Sequence, residues 1–151
     1  MSQFEHLKMK FLHCIFLFFF IFGYSQKYSK DEKAVLLQVK KLDSLMIMND
    51  AQIVELFCSD VSFGHSNGWI QNLDDFKKDF SSKKVSYKEI TQLEISELKK
   101  FKNAVSIRRT IKVAGLYKNQ NFEMKLALLE IWTKKKSAWK LWSRQSVEIK
   151  P

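Results

Sequence analysis

The apolar period of this chain changes near Ser81, and that change restricts its fold more than any other feature. Before it, apolar side chains recur at helical spacing, apart from one short strand; after it, they alternate. Ser29 and Glu32 have the spacing of a capping box, which predicts a helix start. Val35, Val39, Leu42 and Met46 then form one stripe, widened by Leu36, Leu37 and Leu45, with Lys40, Lys41 and Asp43 outside it. Asn49-Asp50 breaks the stripe and caps a second, short helix. Its buried side is Ile53, Leu56 and Phe57, and Ser59-Asp60 ends it. Asn72 is the expected cap of a third helix, with Asp74 and Asp75 in the first turn and Phe76 and Phe80 one turn apart.

Val85, Tyr87, Ile90, Leu93 and Ile95 mark a long strand, and the parity change after Tyr87 predicts a bulge. Glu97 to Asn103 reads as a polar connection. Val105, Ile107, Ile111 and Val113 share a face of the next strand, and Lys118 to Asn121 reads as a hairpin turn. Phe122, Met124, Leu126, Leu128 and Trp132 share a face of the strand that follows, with Leu129 and Ile131 opposite. Lys134 to Ser137 turns the chain. Trp139, Leu141, Val147 and Ile149 share a face of the last strand, with Trp142 opposite. Helices followed by closely connected strands predict an α+β domain. The expected form is a curved antiparallel sheet of about four to six strands with three N-terminal helices packed on one face, enclosing a cone-shaped cavity.

The length of 151 residues fits one domain, assigned to residues 27–151; of the 13 Phe of the chain six lie there with all 4 Trp, enough with the aliphatic residues to fill a core. Residues 1–26 stand apart. The apolar run Phe11 to Phe22 follows Lys8 and Lys10 and precedes Gly23-Tyr24-Ser25-Gln26, the pattern of a secretory signal peptide. The run is short for a span, which needs about 20 apolar residues. Met9 is a natural alternative start. Cleavage near Gln26 implies a periplasmic or extracellular protein with no membrane attachment afterwards. It removes His6, His13 and Cys14, which leaves Cys58 without a disulfide partner in the chain. One histidine and one cysteine cannot make a zinc site. No Gly-rich phosphate loop and no Gly-x-Ser-x-Gly elbow is present, so neither metal nor cofactor is expected. The net charge of +10 suits acidic partners, but the lysines are spread along the chain. Even Lys134-Lys135-Lys136 reads as a solvated turn, so nucleic acid is not expected.

Between the helices, Val61, Phe63 and His65 alternate into the turn signal Ser66-Asn67-Gly68, followed by Trp69. The alternation carries His65 inward with its apolar neighbours. His65 and Trp69 are therefore candidate pocket residues. His65 is also the candidate general base, against the alternative of a histidine that only satisfies backbone groups. Arg109 shares a face with Val105, Ile107, Ile111 and Val113, and a buried guanidinium needs a carboxylate. A hairpin centred on residues 118–121 would pair positions summing to about 239 and so set Glu130 opposite Arg109. That pair reads as a ligand-orienting feature, a structural ion pair or a dimer contact. Alternation along the last strand sends Gln145 inward and Arg144 outward. Tyr87 and Trp132 complete the expected wall.

The element order, Asp60-Val61 with His65-Ser66-Asn67-Gly68, and Trp139 with Arg144-Gln145 resemble the nuclear transport factor 2-like (NTF2-like) superfamily, over roughly Asp31 to Ile149. Within it, the chain looks like the secreted bacterial SnoaL-like branch grouped as domain of unknown function 4440. The resemblance implies a conical, cystatin-like α+β fold and homodimers through the sheet. It also implies a pocket used elsewhere for isomerases, dehydratases, cyclases and plain binding. The carboxylate base and tyrosine–acid oxyanion hole of steroid isomerases have no residue-by-residue counterpart here. Three functions stay open. One is a binding domain for a small organic ligand. Another is a small enzyme with His65 as base and Arg109 and Glu130 orienting the substrate. The third is an interaction module that dimerises through Phe122 to Trp132.

Overall fold

A computed structural model describes residues 28–150; the leader assigned to residues 1–26 lies outside them. Helix α1, Lys30–Met48, begins on the expected capping box. Ser29 Oγ accepts from the Glu32 backbone N–H at 3.3 Å, and Glu32 Oε2 accepts from the Ser29 N–H at 2.7 Å. Asn49 ends the helix in the left-handed conformation. Val35, Val39, Leu42, Leu45 and Met46 are buried, while Leu37 is exposed.

The second helix is a 3-10 segment, Ala51–Leu56, capped by Asp50. It stops earlier than the apolar spacing suggests. Phe57 and Cys58 belong to strand β1, Phe57–Gly64, where Phe57, Val61 and Phe63 turn inward together. After the turn at residues 65–69 comes β2, Ile70–Gln71, then α2, Leu73–Ser81. Asn72 caps α2 by accepting from the backbone N–H groups of Asp74 and Asp75. Strands β3 (Val85–Phe101), β4 (Ala104–Tyr117), β5 (Gln120–Lys135) and β6 (Ala138–Ile149) follow.

The sheet has six strands in the order β2-β1-β6-β5-β4-β3. Its neighbours are antiparallel except β1 and β6, which run parallel. Residues 97–101, expected as a connection, continue β3 and pair with β4. Their polarity is that of an edge strand, which discourages pairing with other chains. The expected bulge after Tyr87 is present, with two more between Gln92 and Glu97.

Two details set which side chains meet. The β4–β5 turn contains only Lys118 and Asn119, because Tyr117 pairs with Gln120. Arg109 therefore faces Leu128, and Glu130 faces Ile107, two residues away from the expected opposition. In β6, Ile131 pairs with Ser143 but Trp132 pairs with Leu141, so Trp142 is the extra residue of a bulge. The bulge inverts the alternation beyond it. Arg144 turns inward and is buried, whereas Gln145, Val147 and Ile149 turn to the outer face, a correction of the simple period-two reading.

Helix α1, the 3-10 segment and α2 pack on the inner face with Val105, Ile107, Trp132, Trp139 and Leu141. A second apolar cluster, Ile111, Val113, Leu126 and Leu128 with Phe122 and Met124 against it, is made of strand residues alone among the described residues. Tyr87 and Ile90 touch both clusters.

Candidate functional site

Four charged side chains meet on the inner face where the two apolar clusters join. Arg109 is 1% exposed, Glu130 0% and Arg144 8%. Arg109 donates to both oxygens of Asp43 at 2.5 and 2.7 Å, the bidentate geometry that suits a guanidinium. It also donates to Glu130 Oε1 through Nε at 3.2 Å and Nη2 at 2.9 Å. The second Glu130 oxygen accepts from Trp132 Nε1 at 3.3 Å. Burial alone pulls the Arg109 pKa down, but the charges and hydrogen bonds of Glu130 and Asp43 more than offset it, so the net shift is upward.

Arg144 is held differently. It is the cross-strand partner of Glu130, yet its Nε lies 3.7 Å from Glu130 Oε1, beyond hydrogen-bond reach. That Nε is buried with no hydrogen-bond partner. Its Nη1 approaches only Met46 Sδ, at 3.7 Å. Tyr87, half-buried on the same face, has its phenol pKa raised by burial, and the Arg144 charge pulls against that rise.

Asp43 and Arg144 complete this group, and simple sequence reading sent both outward. Asp43 follows Val39 by one helical turn, at the border of the buried stripe, and reaches over it to Arg109. Its signal was there: a fully buried arginine calls for more acceptors than one glutamate supplies.

His65 and Trp69 form a separate group at the β1–β2 turn. His65 is half-buried, Trp69 is 40% exposed, and their rings stack with centroids 4.7 Å apart. Gln71 Nε2 donates to Asp79 Oδ2 at 3.2 Å, and Lys84 donates to the same oxygen at 3.0 Å. Because Gln71 gives its amide N–H to a carboxylate, its Oε1 faces His65 Nε2 at 3.3 Å as an acceptor. His65 therefore carries its proton on Nε2, which leaves Nδ1 as the basic atom. Its orienting partner is an amide, not a carboxylate. Gln145, on the outer side, donates from Nε2 to the His65 carbonyl at 3.4 Å. No side-chain hydrogen bond or ion pair among the described residues joins this group to Arg109 and Glu130. The residues expected to line one pocket thus include two separate hydrogen-bonded groups, His65 with Gln71 beneath Trp69, and Arg109 with Glu130 and Trp132.

A cavity of about 330 Å³ opens on the outer face, lined among others by Ser96, Arg108, Thr110, Ala127, Leu129, Gln145 and Val147. Among the described residues no group of three or more His, Cys, Asp or Glu side chains is arranged to hold a metal ion.

No protein-family model matches the chain, and no curated protein matches it. Solved structures do resemble it. An NTF2-like protein from Cytophaga hutchinsonii superposes with a TM-score of 0.75 at 18% identity, over 80% of this chain and 100% of that one. The chain has the NTF2-like fold. An uncharacterised protein with a cystatin-like fold from Caulobacter vibrioides gives a TM-score of 0.69 at 11% identity, over 82% of this chain and 92% of the other. The CaMKII hub of S. rosetta gives 0.67 at 15% identity, over 81% and 99%. On the inner face of this NTF2-like fold Arg109 and Arg144 meet α1 at Asp43 and Met46, beside Glu130 and the second apolar cluster. The outer face carries Leu129, Ile131 and Val147, which belong to neither apolar cluster.

Proposed function

We propose that this chain is an exported NTF2-like domain that binds a small organic molecule on the inner face of its sheet. The observation that carries the reading is the second apolar cluster. Among the described residues it is built from strand side chains only, and it is bordered by Arg109, Glu130 and Arg144. An apolar wall with a few convergent polar groups is the usual make-up of a small-molecule site. Stability gives little reason for two guanidinium groups there, since well-packed aliphatic residues often hold a core as well or better.

Export is supported by the leader pattern in residues 1–26. Self-association through the outer face is supported by Leu129, Ile131, exposed Trp142 and exposed Val147, a grouping more apolar than a solvated sheet face needs. A hub is also among the structures the chain resembles.

Thermal unfolding in the presence of fragments of mixed charge tests the binding reading. Some fragments should raise the melting temperature without turnover. Val113→Phe, which narrows the inner face, should abolish the rise, and Thr110→Phe on the outer face should preserve it. A rise lost only in Thr110→Phe would move the site to the outer cavity, and a set that raises nothing would remove the binding reading.

A further inference from the structure

We infer that the molecule held on the inner face is an organic monocarboxylate whose head group pairs with Arg144 and whose apolar tail lies along Leu128 toward Ile111 and Val113. The inference rests on the binding reading above and specifies its ligand class.

It begins from unequal shares of two carboxylates. Arg109 takes both oxygens of Asp43 and two hydrogen bonds to Glu130 Oε1, and Trp132 takes Glu130 Oε2. Arg144 is left with one long approach to a thioether and a buried Nε–H without an acceptor. A guanidinium has five N–H donors and cannot shed its charge, so burial without acceptors is costly. A planar carboxylate matches the Nε–Nη edge of the fork with two parallel hydrogen bonds.

The surroundings select a single negative charge. Asp43 and Glu130 already balance Arg109 and Arg144, and Glu130 Oε1 lies 3.7 Å from Arg144 Nε, so a dianion such as a phosphate monoester would bring two uncompensated charges where a monocarboxylate brings one. The tail follows from register. On the inner face Leu128 pairs with Ser146, two residues from Arg144, and with Arg109 on β4, whose next inward neighbours are Ile111 and Val113. From β6 to β4 is two strand spacings, about 10 Å. That is the reach of a medium-length acyl or arylalkyl tail. Tyr87, which packs against both apolar clusters, is close enough to feel the Arg144 charge.

Octanoate and its neutral isostere octanamide are the probes, titrated into the protein by calorimetry and thermal shift. Octanoate should bind about tenfold or more tighter than octanamide, the effect of one charge-assisted pair. Arg144→Gln should erase that preference while leaving the weak octanamide affinity in place. Arg144→Lys keeps the charge without the fork; it should bind octanoate less tightly than the unaltered protein and decides the matter if Arg144→Gln does not fold. Equal binding of the two probes would overturn the carboxylate class and leave inner-face binding standing. Octanoate binding unchanged in both Arg144 variants would overturn the role of Arg144. Binding of neither probe, with other fragments still binding, would overturn the inference alone.

Discussion

Arg109 donates to Glu130 at 2.9 Å although the two are diagonal neighbours, with Leu128 and Ile107 as their respective cross-strand partners. Long side chains bridge that offset on one face of a sheet. The consequence is a buried charge held by three residues from α1, β4 and β5. Glu130→Ala should cost about 3–5 kcal/mol, because it takes two acceptor contacts from Arg109, leaves Arg144 with no carboxylate nearby and strands the Trp132 indole N–H. The double replacement Arg109→Met with Glu130→Leu should cost less than Glu130→Ala, because it removes one of the two guanidinium groups that lose Glu130 and fills the space. Urea denaturation of both variants beside the unaltered protein measures the two costs.

Two glycines make contrasting demands. A Cβ at Gly115 would stand 2.1 Å from the Ser86 backbone oxygen, beside the first bulge of β3. A Cβ at Gly64 would instead meet the end of the Gln145 side chain, which can swing away. Gly115→Ala should destabilise the protein by about 1–3 kcal/mol or more, and Gly64→Ala by clearly less. Melting temperatures of the two variants check the order.

The network that ties α1 to the sheet makes stability fall in acid. Hydrogen bonds from Lys100 and Lys134 hold the Asp31 carboxyl below its ordinary range. A depressed folded-state pKa contributes stability above the unfolded value of about 3.9, which is lost as pH falls through the folded value. Asp31→Asn should therefore lower stability at neutral pH and flatten its decline below about pH 4. Denaturation midpoints across that range give the slope.

Comparison of these elements with the sequence shows where local pattern suffices. The α1 stripe, its cap, the Asn72 cap and the inward face of β4 follow from period and side-chain chemistry, and all are present. What failed depended on counting one residue. A four-residue turn was expected where Lys118 and Asn119 alone make it, with both residues at positive φ, a conformation that no glycine there announces. The bulge at Trp142 likewise leaves no mark in composition, since tryptophan suits either face. One extra residue there exchanged Arg144 for Gln145 on the inner face. The buried Arg144 guanidinium was thus hidden by register, while Arg109 was legible because Ile107 and Ile111, two positions away on either side and on the same face, are aliphatic.

The outer face leads to a prediction on assembly. Leu129 pairs with Arg108 and Gln145 there and lines the outer cavity. The protein should be a dimer in solution, burying at least about 1,200 Å² in total. Leu129→Arg should yield a monomer with an intact fold. Sedimentation equilibrium distinguishes the two, and a wild-type monomer at high concentration would remove the dimer.

The histidine prediction concerns a tautomer. Gln71 fixes the His65 proton on Nε2, so long-range nitrogen–proton correlation spectra above the histidine titration should show Nδ1 as the unprotonated nitrogen. Gln71→Leu should release that preference. A Nδ1-protonated ring in the unaltered protein would contradict the network.

The most direct measurement follows the Nε–H resonance of Arg144, assigned by its loss in Arg144→Lys, as octanoate is added. The account predicts a downfield shift and slower exchange with water for Arg144, with the Arg109 Nε–H, already bonded to Glu130, little changed. An Arg144 signal that stays in place while octanoate saturates the protein would contradict it.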